Sequence, residues 1–204
     1  MRPAVRLGLV GGALAPPVVA LAFLIALAQH PELDHAIHTI SKLSARGVHD
    51  AWTMSIGFAI YGLLIVGYAW ALRAVTTPRQ DPARGALAAH GALMLCAAVF
   101  RDDTVQWGWT TVIGAAHDIS GGMAFSALLA AMVLSAWASR TRWHTRVGLV
   151  FAGVFLASGV LFLATPHWVP GYTERAFALV GIAWVQWTTI STLPGQRDRA
   201  EPIQ

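Results

Sequence analysis

Apolar residues run along this chain in long blocks, and the polar residues collect in the gaps between them. Six blocks stand out, at about 5–28, 51–72, 82–100, 117–138, 146–165 and 174–193. Each approaches the roughly 20 residues that an α-helix needs to cross about 30 Å of hydrocarbon. Punctuation falls where helices should start and stop. Asp81 is placed to cap the third helix and Pro82 to begin it, Pro166 closes the fifth, and Pro194-Gly195 closes the sixth. The pattern predicts an all-α integral membrane bundle of six transmembrane helices. It forms a single domain over residues 1–204, with 195–204 as a short cytoplasmic tail.

Two segments need separate readings. The first block follows a basic "MRPAVR" and contains the cleavage look-alike Ala26-Leu27-Ala28, so it must be weighed against a signal peptide. Its apolar part is too long for that and carries Pro16-Pro17, so it reads as a retained, kinked helix. Gly8 and Gly12 in it are spaced as in GxxxG, which would let another helix come close, although a glycine-rich helix produces that spacing by chance as well. The connection at 30–50 places Leu33, Ala36, Ile37, Ile40 and Leu43 at helical spacing. That predicts a short amphipathic outer helix between helices one and two. Its polar side carries Asp34, His38 and Ser41, the chemical types of a catalytic triad but strung along one helix face.

Composition agrees with a membrane class. Of 204 residues, 56% are hydrophobic and only 12% charged, with mean hydropathy +0.56. The net charge of +4 does not indicate nucleic acid, because the arginines fall in short clusters between apolar blocks. Those clusters orient the helices. With the N-terminus in the cytoplasm, Arg2, Arg6, Arg73, Arg79, Arg84, Arg140, Arg142, Arg146, Arg197 and Arg199 lie inside. Only Lys42, Arg46, Arg101 and Arg175 lie outside. Both termini of a multi-pass cell-membrane protein are therefore expected in the cytoplasm. The single cysteine, Cys96, excludes an intrachain disulfide and a CxxC zinc site. Trp52, Trp70, Trp107, Trp109, Trp137, Trp143 and Trp168 fall near helix ends, as an aromatic belt does, while Trp184 and Trp187 sit deeper as packing residues.

Candidate chemistry gathers at the outer helix ends: His49-Asp50, Arg101-Asp102-Asp103, His117-Asp118 and Glu174-Arg175. Asp50, Asp118 and Glu174 open helices, where the helix dipole favours a carboxylate. Asp102 and Asp103 end one, where it does not. Three readings compete. Ion pairs could simply tie helix ends together. The groups could form a catalytic site in which Ser41, Asp103, His117, Glu174 and Arg175 converge, with a carboxylate-oriented His117, Ser41 as nucleophile and an arginine holding an anion, as a hydrolase or transferase acting on a lipid or small polar substrate would need. They could instead form a divalent metal site from His49, Asp103, His117 and Asp118. Or the rim could bind a lipid head group or small anion, or serve a small-solute transporter. His90 stands alone in the third helix. A buried hydrogen-bonded histidine explains it better than a haem ligand without a mate.

Several short segments resemble the multipass membrane family catalogued as domain of unknown function 998. They are "TISKLSARG" (39–47), "VFRDD" (99–103), "HDISGGMAF" (117–125) and "GYTERA" (171–176). The family's Phe-Pro-x-Asp is matched by Phe100 and Asp103, with Arg101 in place of proline. The resemblance implies six transmembrane helices over roughly 8–193, and polar family positions at Ser41, Asp103, His117, Glu174 and Arg175. It implies no reaction, so the chain is an uncharacterised membrane protein whose enzymatic status, cofactor and substrate stay open. Its expected partner is the lipid bilayer.

Overall fold

The computed structural model describes residues 2–103, 110–164 and 169–192. Its long elements are all helices: α1 (Pro3–Gln29), α2 (Trp52–Leu72), α3 (Asp81–Val99), α4 (Val112–Ala138), α5 (Arg142–Ala164) and α6 (Pro170–Thr192). Consecutive helices pack together, and α6 returns against α1, so the six close into a ring. The segment 30–50, the end of α3 and the starts of α4 and α6 meet at one end, here called the connection end. The other end carries the N-terminus of α1 and the α2–α3 and α4–α5 links, and is called the arginine end.

The surface identifies the surroundings. Helix α5 buries only Gly148, Ala152 and Phe155. It turns Leu149, Val150, Val154, Leu156, Val160, Leu161 and Leu163 outward. A helix apolar on all sides but buried on one is stable in lipid and not in water. Five segments are long and apolar enough to cross a membrane: α1, α2, α3 with its preceding turn, α4 and α5. Helix α6 is as long as α5 at 23 residues. It is more polar because of Glu174, Arg175, Gln186 and a run of hydroxyls ending at Thr192.

Helix starts differ from the sequence reading in three places. α5 begins at Arg142, four residues ahead of the expected 146. α4 begins at Val112 and not near 117, because the Thr111 side chain accepts from Gly114 N–H and caps the helix. α6 begins at Pro170, ahead of the expected 174. Asp81 is the first residue of α3, not its cap, which is Gln80. The cap of α2 is Ala51, with no side-chain bond. Asp50 stands just before it at φ 50°. Helix α1 runs unbroken through Pro16 and Pro17. Gly8 and Gly12 do serve close approach. A methyl group at Gly8 would meet the Gly67 carbonyl at 2.6 Å, and one at Gly12 would meet the Tyr68 ring at 2.5 Å.

The expected amphipathic helix at 30–50 does not form. The segment is a chain of turns with one 3-10 turn, Ser41–Ser44. Its apolar spacing is real, and Leu43 is buried at 1% exposure. Its peptide groups, however, are bonded to distant elements. The carbonyls of His35, His38, Ser44 and Ala45 accept from arginines, and Ile40 N–H donates to Glu174. Ala36 carbonyl accepts from Gly171 N–H at 2.9 Å. Those bonds replace the i to i+4 ladder of a helix. The polar trio also disperses. Asp34 accepts from Ala36 N–H at 2.8 Å, and His38 Nδ1 bonds the Asp34 carbonyl at 3.0 Å.

Candidate functional site

The carboxylates that end α3 are held by cations from the 30–50 segment. Lys42 Nζ lies 2.9 Å from Asp102 Oδ2, with both side chains under 9% exposed. The same ammonium donates to the Asp103 carbonyl at 2.9 Å. Arg46 pairs with Asp103 at 2.6 Å, and its own N–H donates to the Asp102 carbonyl at 2.9 Å. Arg101 reaches back the other way, donating to the Ser44 and Ala45 carbonyls at 3.0 Å each. Its guanidinium lies 4.6 Å from the Trp52 ring centre. Thus "TISKLSARG" and "VFRDD" form one latch.

Asp103 extends that latch to α4. Its Oδ2 accepts from the N–H groups of Thr110 and Thr111 at 2.9 and 3.0 Å, and its Oδ1 from the Thr111 hydroxyl at 2.8 Å. Burial pushes its pKa up. The hydrogen bonds from Arg46, Thr111 and Thr110 outweigh that and hold it well below the ordinary 3.8. Asp103 is a structural clasp that does not line the cavity described next.

Helix α6 docks on the same segment. Arg175 donates to the carbonyls of His35 and His38 and lies 5.4 Å from the Phe23 ring. Glu174, 7% exposed, accepts from Ile40 N–H, and Ser41 Oγ stands 3.5 Å from its other oxygen. Gly171 makes the approach possible. A Cβ there would collide with the carbonyl oxygens of His35 and His38. On α4, His117 Nδ1 faces the carbonyls of Ala97 and Phe100 at 2.8 and 2.7 Å.

Inside this ring of contacts lies a half-open cavity of about 200 Å³. Ser41, His117, Glu174 and Arg175 line it, and deeper in so do Tyr61 and His90. Most of the remaining wall is apolar, with α1, α2, α3, α4 and α6 contributing and α5 left out. Tyr61 and His90 satisfy each other: Tyr61 OH is 3.0 Å from His90 Nε2, and His90 Nδ1 is 2.9 Å from the Ala124 carbonyl. His90 is therefore the buried hydrogen-bonded histidine that its isolation suggested.

Four of the five candidate residues, Ser41, His117, Glu174 and Arg175, meet at one cavity, while Asp103 is engaged elsewhere. The metal set is not assembled as expected. His49 is exposed and paired with Asp50 at 2.8 Å. His117 and Asp118 instead come near Asp102, with potential ligand atoms within 4.8 Å of one another. Asp102 already holds Lys42, so a cation there would compete with that ammonium. Trp107, Trp109, Trp168, Arg197 and Arg199 lie outside the described residues. Sequence reasoning counted Lys42 and Arg46 only as topology charges and passed over Thr111 and Tyr61. The signal for the two cations was the unexplained negative charge at the end of α3, which requires a positive partner.

No curated protein and no solved structure matches the chain. One family model does, described as "Protein of unknown function (DUF998)", over residues 13–191, a span that holds the latch, the cavity and all four convergent segments. The chain is a member of the DUF998 family.

Proposed function

We propose that this is a six-span cell-membrane protein with cytoplasmic termini, whose extracytoplasmic end binds an amphiphile. The chain of the amphiphile enters the apolar part of the bundle, and its head lies against Ser41, His117 and Glu174. The supporting observation is the cavity itself, apolar over most of its wall and polar at the connection end. Among the described residues, the far end gathers Arg2, Arg6, Arg73, Arg79, Arg84, Arg140, Arg142 and Arg146 against the single carboxylate of Asp81. That asymmetry supports a cytoplasmic arginine end.

The chemistry of the polar end favours a head group that donates hydrogen bonds. His117 Nδ1 faces two carbonyls, which only accept, so Nδ1 carries a proton, and in the neutral ring Nε2 is an acceptor. Glu174 spends part of its acceptor capacity on Ile40 and Ser41 and keeps the rest. Two of the five N–H groups of Arg175 are taken by the His35 and His38 carbonyls, and the neighbouring Glu174 carboxylate offsets its charge. The acceptors on Glu174 and His117 suit an amine or hydroxyl head, and the Glu174 carboxylate repels an anion. Acyl transfer through Ser41 is the weaker reading. The partner of its hydroxyl is Glu174, at 3.5 Å, and the bonds of His117 run from Nδ1 to main-chain carbonyls and not to Ser41.

The test uses the purified chain in nanodiscs and fluorescent amphiphiles that differ only in head group. Ammonium- and hydroxyl-headed probes should bind saturably and a sulfate-headed probe should not. Glu174→Gln should weaken the ammonium probe by about 10- to 100-fold, the scale of one charge-assisted hydrogen bond. Binding indifferent to head group, or unchanged in Glu174→Gln, would refute the proposal.

A further inference from the structure

A second cavity, of about 240 Å³, opens at the arginine end. It shares no wall residue with the first, and fully buried Ile65 and Met132 lie between them in helix register. Its wall has a different character. Arg84, Arg140 and His144 line it together with hydroxyls such as Ser139, Thr188 and Ser191.

Arg84 carries most of the argument. One terminal nitrogen donates to Thr76 Oγ1 at 2.6 Å and the other pairs with Asp81. Its Nε is buried and has no hydrogen-bond partner among the described residues. An unmatched buried guanidinium N–H is costly, and this one is on a side chain that lines the cavity. Asp81 is the only carboxylate among the described residues of this end and is already taken by Arg84. Arg140, exposed at the rim, adds a second cation. The hydroxyls of Ser139, Thr188 and Ser191 donate to carbonyls of their own helices, so their oxygens are free to accept.

From this wall we infer that the second cavity binds a phosphate-bearing ligand, its anionic oxygens on Arg84 and Arg140 and its own hydroxyls on the serine and threonine oxygens. A guanidinium fork matches phosphate geometry, and several hydroxyl acceptors suit a polyol beside it. The phosphate reaches the site either on a small water-borne molecule or on the head group of a lipid in the adjacent leaflet. The chemistry is the same for both.

The test is equilibrium binding to the full chain, purified in a neutral sugar detergent that brings no phosphate. The probes are radiolabelled glycerol 3-phosphate and radiolabelled short-chain phosphatidic acid. At least one should bind saturably. Glycerol 3-phosphate alone identifies a water-borne ligand, and phosphatidic acid alone identifies a lipid. Arg84→Lys keeps the charge but removes the Nε–H, and Arg140→Gln removes an exposed charge that the fold does not need. Each should weaken binding by about tenfold or more, while Arg142→Gln, exposed and outside the cavity wall, should bind like the parent chain. Thermal unfolding followed by tryptophan fluorescence verifies that each variant is folded. Should Arg84→Lys not fold, Arg140→Gln still decides. The inference is overturned if neither probe binds saturably, or if a folded Arg140→Gln binds as tightly as the parent chain.

Discussion

Replacing Lys42 by methionine probes the latch most sharply. The change keeps side-chain volume and removes the ammonium, leaving the Asp102 carboxylate, only 3% exposed, with no opposite charge at 2.9 Å. Breaking one partner of a buried ion pair costs about 3–5 kcal/mol, because the remaining charge stays desolvated. The lost bond to the Asp103 carbonyl is part of that figure. Asp102→Asn removes the other charge while keeping the Oδ1 that accepts from Asp103 N–H at 2.7 Å. The double variant buries no charge at this point and should cost only about 1–2 kcal/mol, which gives a coupling of at least ~2 kcal/mol in the double-mutant cycle. The assay is reversible unfolding in mixed micelles of graded SDS content, followed by tryptophan fluorescence. A Lys42→Met cost below ~1 kcal/mol, or strict additivity of the two changes, would refute the idea that this pair is buried and energetically linked.

Other outcomes follow from the same geometry. Asp103 has a depressed folded-state pKa, so its stabilising contribution is present above its unfolded value of 3.8 and is lost as pH falls below that toward the folded value. Acid unfolding of the parent chain should steepen there, and Asp103→Asn should flatten that limb; an identical limb in both contradicts the clasp. Gly171→Ala would force the start of α6 away from the His35 and His38 carbonyls. It should cost about 1–3 kcal/mol in the same unfolding assay. Tyr61→Phe leaves His90 Nε2 buried without its partner at 3.0 Å and should destabilise by about 1–3 kcal/mol, measured the same way.

The helices were legible because hydrophobic block length reports directly on a lipid environment, and the block limits came close for α1, α2 and α3. Block limits alone missed the starts of α4, α5 and α6, which all lie in polar stretches before the apolar run begins. Those of α4 and α6 are set by a threonine cap at 111 and a proline at 170. The 30–50 segment was misread for a different reason. Leu33, Ile40 and Leu43 do face the core, but apolar spacing reports burial and not backbone conformation. Here arginines and a glutamate from distant helices claim the peptide groups. Gathering of the candidate site was visible as a surplus of charge at helix ends on one side. Its division was not. Only packing shows that Asp103 belongs to a clasp with Arg46 and Thr111, while Ser41, His117, Glu174 and Arg175 surround a cavity.

Labelling of one introduced thiol tests the central claim most directly. With Cys96→Ala as background, Ser41→Cys places the sole thiol at the polar end of the cavity. In intact cells it should react with a membrane-impermeant maleimide, and an ammonium-headed amphiphile should slow that reaction in a saturable way. Labelling only after permeabilisation, or at a rate the amphiphile does not change, would contradict an outward-facing cavity that binds such a molecule.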